Sequence, residues 1–421
     1  MPPIDDHPMR YKLANELHAR PFPAMSAPCT AAYIAIKQQG SSATRDKLAD
    51  LDHLIALLDR HGAPHPQPGA THYYAQLGKH WLKWEQHTEF VTYTMFSEGV
   101  SARAFDPFPS DWLSDAPGGK VTSALLRVEV EDTQEAIVQN LRDWFLPESL
   151  AVSSVLDGAA VVASDFRIDS NGHQRFAIFA QADTGARRIG RILQRLCEVE
   201  TYKTMSMLGF GRARGLGPDL NRLDIQLTDL VSGMRDSTAQ AEDTLHDLLA
   251  VSAELETLSA EAAFRFGATA AYEAIVNQRI EALREERFTG RQTFGEFMMR
   301  RYEPAMRTVK SAERRLEAMS SRSIRVSNLL RTRVDVERTA QSQGLLQSMD
   351  RRADLQLRLQ RTVEGLSVVA ISYYAVSLAS YLLYPLGDAS GLSKGSLTAL
   401  ITLPVVGVVW LMVRRLRKHL D

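Results

Sequence analysis

Only two cysteines, Cys29 and Cys197, occur in the 421 residues, and they are too far apart for a redox pair or a thiolate metal site. A chain so poor in cysteine is expected in a reducing cytosol. The opening MPPIDDHPMRYK has no apolar run of the kind that leads a protein out of the cell, so the polar part of the chain is expected to stay unexported. An excess of one charge is missing too. Forty-nine Lys and Arg against 50 Asp and Glu leave a formal net charge of -1, which speaks against a nucleic-acid partner. No Gly-rich phosphate loop follows a strand, there is no Gly-x-Ser-x-Gly elbow, and no Cys/His pair sits in a catalytic motif. Neither an enzyme nor a cofactor is expected from these absences.

What the chain does have is an apolar end. Leu366 to Leu383 and Leu397 to Val413 carry no charge, and each is close to the lower limit of about 17–20 residues for a bilayer-spanning helix. Two such segments in tandem predict a transmembrane hairpin, with the lipid bilayer as a partner. Arg351, Arg352, Arg358 and Arg361 precede the first segment and Arg414, Arg415, Arg417 and Lys418 follow the second, whereas the loop between them holds only Asp388 and Lys394. Basic residues stay on the cytoplasmic side, so a multi-pass inner-membrane protein with both termini cytoplasmic is expected. Tyr373, Tyr374, Tyr381, Tyr384 and Trp410 lie mostly near the segment ends, where amphipathic rings suit the headgroup layer.

Residues 7 to 28 read HPMRYKLANELHARPFPAMSAP, a short helical piece closed by Pro21 and Pro23. Asn15, Glu16, His18 and Arg20 bring four different polar groups together there, either as a site or as a tie for the chain start. From Pro28 to about Gln181 aromatic and β-branched runs alternate with helical spacing, which predicts a mixed α/β domain. Its expected strands are 27–39, 71–78, 79–86, 88–96, 122–131, 150–156, 158–166 and 174–181, and its expected helices 44–60 and 133–144. His61, His65, His72, His80 and His87 cluster around the turns but match no ligand spacing, so no metal is assigned.

Beyond Asp183 the pattern turns helical. Arg187, Arg188, Arg191 and Arg195 lie largely off the apolar face of Ile189, Ile192, Leu193, Leu196 and Val199, as a solvated face or an anion-binding one. GFGRARGLGP (Gly209 to Pro218) is expected to break this helix, and FTGRQTFGEFMMRRYEP (Phe288 to Pro304) to break the next. After Pro304 helical residues run on to Pro385, a stretch of ~80 residues at ~1.5 Å each that would reach ~120 Å and must pack against partners. Its apolar positions keep no strict heptad, so a bundle of stalk helices fits better than a two-stranded coiled coil. Within the first membrane segment Ser367, Tyr374, Ser377, Tyr381 and Tyr384 share one stripe, which either packs helix on helix or lines an aqueous path, with Asp388 at its outer end. The fold class that results is α+β with a membrane segment: a mixed α/β domain over 1–182, a helical region over 183–303, a stalk helix over 304–365, the hairpin over 366–413 and a basic tail over 414–421.

HPMRYKLANELHARPFPAMSAP, RRIGRILQRLCEVETYKTMSML (Arg187 to Leu208) and the hairpin together resemble a bacterial family of predicted membrane-anchored proteins of unknown function, whose domain sometimes carries an egg-lysin label. A cytosolic α/β domain, a very long helix, two spans and a basic tail also resemble the architecture of CorA-type magnesium channels. That second resemblance implies a homo-oligomer, a pentamer, with the first span lining a cation path. The triplet Gly-Met-Asn that closes the first span there is replaced by Tyr384-Pro385-Leu386-Gly387-Asp388, and no asparagine follows Asn328, so selectivity for hydrated magnesium does not carry over. The expected function is accordingly an oligomeric cation channel or transporter, or alternatively a membrane-anchored scaffold or sensor whose cytosolic domain binds a partner.

Overall fold

The computed structural model describes residues 4–16, 22–40, 45–101, 103–234, 241–389 and 393–418; the side chains at 12, 15, 16, 387–389 and 416–418 are not among those described. In chain order the elements are α1 (Arg10–Glu16), β1 (Cys29–Lys37), α2 (Lys47–His61), β2 (His72–Leu77), β3 (His80–Gln86), β4 (Val91–Glu98), α3 (Ser110–Ser114), β5 (Gly119–Val130), α4 (Gln134–Trp144), β6 (Ala151–Val155), β7 (Ala160–Ser164), β8 (Gln174–Ala180), α5 (Ala186–Gly233), α6 (Ala241–Leu283), β9 (Glu286–Arg287), α7 (Phe294–Arg301), α8 (Glu303–Ala389) and α9 (Lys394–Lys418). They divide into two compact units, one of Met1–Ala239 with His246–Val326, the other of Gln240–Leu245 with Ser327–Asp421. The architecture is α+β, with a mixed sheet followed by long helices and an apolar helix pair.

In the first unit a nine-stranded sheet has the order β2-β3-β4-β1-β5-β8-β7-β6-β9. Only β5 and β8 run parallel; the other neighbouring pairs are antiparallel. Alternation along the strands sends side chains to opposite faces of the sheet, where apolar clusters form under α2 and α3, under α4 and under α5. On one face Ala32, Ile34, Ile36, Leu82, Trp84, Val91, Tyr93 and Met95 meet Leu54, Leu57 and Leu58 of α2 and Trp112 of α3. On the other Ala31, Ala35, Leu126, Val128, Phe176 and Ile178 meet Ile189, Ile192, Leu193 and Leu196 of α5.

Local chemistry fixes several ends. Asp46 caps α2 by accepting from the Leu48 and Ala49 amides, and Gly62 closes it with a left-handed φ of 59°. His53 of α2 bridges the Tyr93 hydroxyl (3.0 Å) and the Trp112 carbonyl (2.9 Å), while Trp112 Nε1 donates to the His53 carbonyl at 2.8 Å. Burial holds the His53 imidazole below its ordinary range, in keeping with a neutral ring that donates through Nε2.

The expected strands and helices of the first 181 residues are present, and α6 ends at Leu283, just ahead of the second expected break, but the first expected break is absent. The GFGRARGLGP run lies inside α5, with Pro218 in mid-helix. Pro218 and Arg214 both lie on the exposed side, where water can replace the lost donor to the Arg214 carbonyl, and the buried Leu216, Leu220, Leu223 and Leu227 pack the opposite side. A Cβ on Gly209 would overlap Thr269 Oγ1, so the glycine marks the close crossing of α5 and α6. Inside the second expected break a short helix, α7, starts with a capping box between Thr293 and Glu296.

In the second unit α8 and α9 each contain a stretch long and apolar enough to cross a membrane, and very little of either stretch is buried. Arg338 pairs with Glu242 at 2.7 Å. From 335 to 363 every residue of α8 is exposed, Leu345, Met349, Leu359 and Val363 included.

Candidate functional site

The β3-β4-β1 end of the sheet differs from the rest on its α5 side. Leu82 and Trp84 turn to the apolar core, so Lys83 and Glu85 turn the other way; likewise Val91 and Tyr93 are core residues and Thr92 and Thr94 oppose them. Pairing then sets Lys83, Thr94 and Tyr33 in one row across three strands, with Glu85 and Thr92 in the next. Over these rows passes α5, presenting Gln194, Arg195, Glu198, Thr201 and Tyr202, and the last turns of α6 add Arg279 and Ala282. A cavity of about 300 Å³ is left between the two layers, closed on one side by Phe22 and Pro23.

Its walls are hydrogen-bonded in a chain. Lys83 Nζ reaches Glu85 at 3.2 Å and donates to Gln194 Oε1 at 2.9 Å; Gln194 donates to Glu198 at 2.8 Å, and Glu198 pairs with Arg279. Thr201 donates to the Cys197 carbonyl at 2.9 Å and so accepts from the Tyr33 hydroxyl. Burial raises the Tyr33 hydroxyl and the Cys197 thiol well above their ordinary ranges, so both are neutral. Arg195 donates to the Ala282 carbonyl at 2.8 Å. Burial first, then the charges of Arg191 and Arg279, pull its pKa down.

Two groups stand outside this chain. Thr92 and Thr94 are only 3% and 6% exposed, line the cavity, and have no hydrogen-bond partner for their hydroxyls among the described residues. These hydroxyls open onto the polar cavity, where a polar guest can take the place of water as their partner. At the rim His87 stacks on Phe90 at 4.4 Å and Tyr202 on Tyr272 at 5.5 Å. Behind them the buried Glu89 pairs with Arg265 and accepts from the Tyr272 hydroxyl at 2.9 Å.

The residues singled out from sequence are placed elsewhere. His18 and Arg20 lie outside the described residues, as do the side chains of Asn15 and Glu16, although Phe22 and Pro23 just beyond them form cavity wall. In the second unit Ser377, Tyr381 and Tyr384 border a separate cavity of about 880 Å³ between α8 and α9, together with Thr398 and Thr402. Ser367 and Tyr374 are exposed and do not line it, and the Asp388 side chain is outside the described ones. The face of α8 bordering that cavity includes Ser372, Val376 and Ser380, and the Ser372 and Ser380 hydroxyls are buried without a partner. His65 pairs with Asp59 and His80 with Ser97, each at 2.6 Å; no group of three or more metal-type side chains occurs among the described residues.

Sequence comparison covers nearly the whole chain. Residues 5–420 match the model of the family described as "Protein of unknown function (DUF3422)", and the chain belongs to that family. No curated protein matches it.

Proposed function

We propose that this member of the DUF3422 family is a membrane-anchored binding protein: α8 and α9 hold it in a bilayer, and the sheet unit takes up a small polar molecule between β3-β4-β1 and α5. The observation that carries the reading is the pair of hydroxyls, Thr92 and Thr94, that open without a protein partner onto a cavity lined by Lys83, Glu85, Arg195, Glu198 and Arg279. A folded core gains nothing from open hydroxyls, whereas a guest that bonds to them does. The anchor rests on the two apolar stretches, and the basic residues at Arg351, Arg352, Arg414 and Arg415 favour an inner-membrane hairpin with both ends cytoplasmic.

The test is a Thr92→Val, Thr94→Val double variant of the full chain in nanodiscs. Two lost hydrogen bonds of about 0.5–1.5 kcal/mol each should weaken retention of the co-purified small molecule by roughly tenfold or more. The melting temperature should not fall, because no protein group loses a partner. The measurement is native mass spectrometry with extraction of the released molecule, alongside thermal denaturation. An empty wild-type protein whose melting point no metabolite in a broad library raises would sink the reading, as would a double variant that retains its guest unchanged.

A second reading, an oligomeric cation channel, is favoured by the hydroxyls of Ser377, Tyr381, Thr398 and Thr402 around the α8–α9 cavity. On that reading the exposed 335–363 stretch of α8 is covered by further copies of the chain, a pentamer by resemblance to CorA-type channels. Cation flux into proteoliposomes, lost on Ser377→Leu while the oligomer mass is kept, would replace the anchor by a pore.

A further inference from the structure

We infer that the guest of the sheet unit is a small organic monoanion bearing a carboxylate, and that it enters along a strip of arginines on α5. The inference rests on the binding role proposed for this cavity and names its ligand class. Three cations, Lys83, Arg195 and Arg279, face two carboxylates, Glu85 and Glu198. Lys83 pairs with Glu85 and Arg279 with Glu198, whereas Arg195 makes no ion pair within 4 Å among the described residues and feels Glu198 only at longer range. A guanidinium half-buried in this way, with only a backbone carbonyl to donate to, calls for one negative charge. Its fork geometry suits a carboxylate, which can accept two parallel bonds. A phosphate monoester brings about -1.5 to -2 charges at pH 7 and would be pressed against Glu85 and Glu198, which disfavours it relative to a monoanion. Thr92 and Thr94 then supply hydroxyls to the polar remainder of the same molecule.

The route has its own residues. Arg187, Arg191 and Arg195 are spaced by four and therefore lie along one strip of α5, about 6 Å apart in rise. Arg187 and Arg191 are exposed and have no ion-pair partner among the described residues. They line an open groove of about 980 Å³, across from the stacked pair Tyr74 and Trp81, whose ring centroids are 5.2 Å apart. Phe22 and Pro23 border both this groove and the cavity, so the two hollows are neighbours. A line of cations leading from an open groove to a polar cavity raises the local concentration of anions and speeds their capture.

Three probes of equal carbon count and different charge separate the possibilities: lactate (anion), serine (zwitterion) and glycerol (neutral). Titrations by calorimetry and stopped flow use the full chain in nanodiscs at low and at physiological salt. Lactate should bind at least tenfold more tightly than serine or glycerol. Arg195→Gln should weaken lactate at least tenfold, and Arg195→Lys should weaken it less, since the charge stays while the two parallel bonds do not; unchanged melting temperatures of both variants guard against a folding defect. The double charge reversal Arg187→Glu, Arg191→Glu should slow lactate association several-fold, more at low salt, and leave dissociation unchanged. Serine or glycerol binding as tightly as lactate would overturn the anion assignment while the binding role stood. Heat from none of the three would overturn both, and an unchanged association rate in the double variant would remove the arginine route alone.

Discussion

Replacing Glu89 by alanine should cost the sheet unit about 3–5 kcal/mol, because it strands a positive charge rather than merely deleting a contact. Glu89 has a side chain 1% exposed and is held by Arg265 and by the Tyr272 hydroxyl, both on α6. Its removal leaves the guanidinium, itself 16% exposed, facing a hole in a poorly hydrated place. Replacing both members, as in Glu89→Leu with Arg265→Met, should recover most of the loss, since no unpaired charge then remains. The exposed pair Arg60 and Asp111, at 2.7 Å but 38% and 67% exposed, provides the contrast: Asp111→Ala should change stability by less than about 1 kcal/mol. Denaturant unfolding of the three variants checks the series. An alanine at 89 costing no more than one at 111 would show that Glu89 is not an electrostatic anchor for α6.

Gly190→Ala should be nearly as damaging, and for a steric reason. A Cβ built on Gly190 would overlap the carbonyl oxygen of Pro23, and what must yield is backbone rather than the tip of a flexible side chain. The segment there is held from both sides, because the Met25 amide donates to the Ala186 carbonyl at 3.1 Å and Phe22 and Pro23 wall the cavity. Overpacking of this kind costs roughly 1–3 kcal/mol, and here it also shifts the cavity wall, so retention of the guest should fall with stability. Gly211 and Gly215 lie on the same helix with open space where a Cβ would go, and alanine there should stabilise by about 0.5–1 kcal/mol. Thermal denaturation of the three alanine variants separates the cases. A Gly190→Ala protein as stable as Gly211→Ala would mean that the 22–25 segment does not rest on α5 in solution.

How far the fold could be read from sequence depended on whether the signal was local. Strands β3 and β4 were readable because Leu82 and Trp84, or Val91, Tyr93 and Met95, alternate with polar residues, and α2 and α4 because their apolar residues recur at helical spacing. The continuity of α5 through Pro218 was not, since it depends on buried leucines packing against elements distant in sequence, which override local breakers. The capping box Thr293 to Glu296 lay in plain view within a stretch read as a break; its motif was the missed clue to α7. The cavity was half visible. Lys83, Glu85, Thr92 and Thr94 could be seen to share a strand face, but a face of that kind on paper looks solvated. Only the arrival of α5 and α6, more than a hundred residues later, turns it into an interior. Of the hydroxyl stripe of the apolar end, Ser377, Tyr381 and Tyr384 border a cavity, whereas Ser367 and Tyr374 do not, and Ser372 and Ser380, which lay off the stripe, do.

The single parallel seam in the sheet also dictates an order of events as the chain leaves the ribosome. The core under α2 and α3 draws its buried members from residues 32 to 112, so it can close while the rest is still being made. The patch under α4 draws its buried members from residues 137 to 179, with Phe288 packed against them later. The layer under α5 waits longest: it joins strands from both halves across β5 and β8 and is not complete until Leu283 and Phe294 have emerged. Domains assemble from local pieces before distant ones, because closing a long loop must precede its reward. The charged hollow is therefore the last part of the sheet unit to take shape. Until then Lys83, Glu85, Thr92 and Thr94 keep their water, because Arg279 and Ala282, which complete the lining, come from the end of α6.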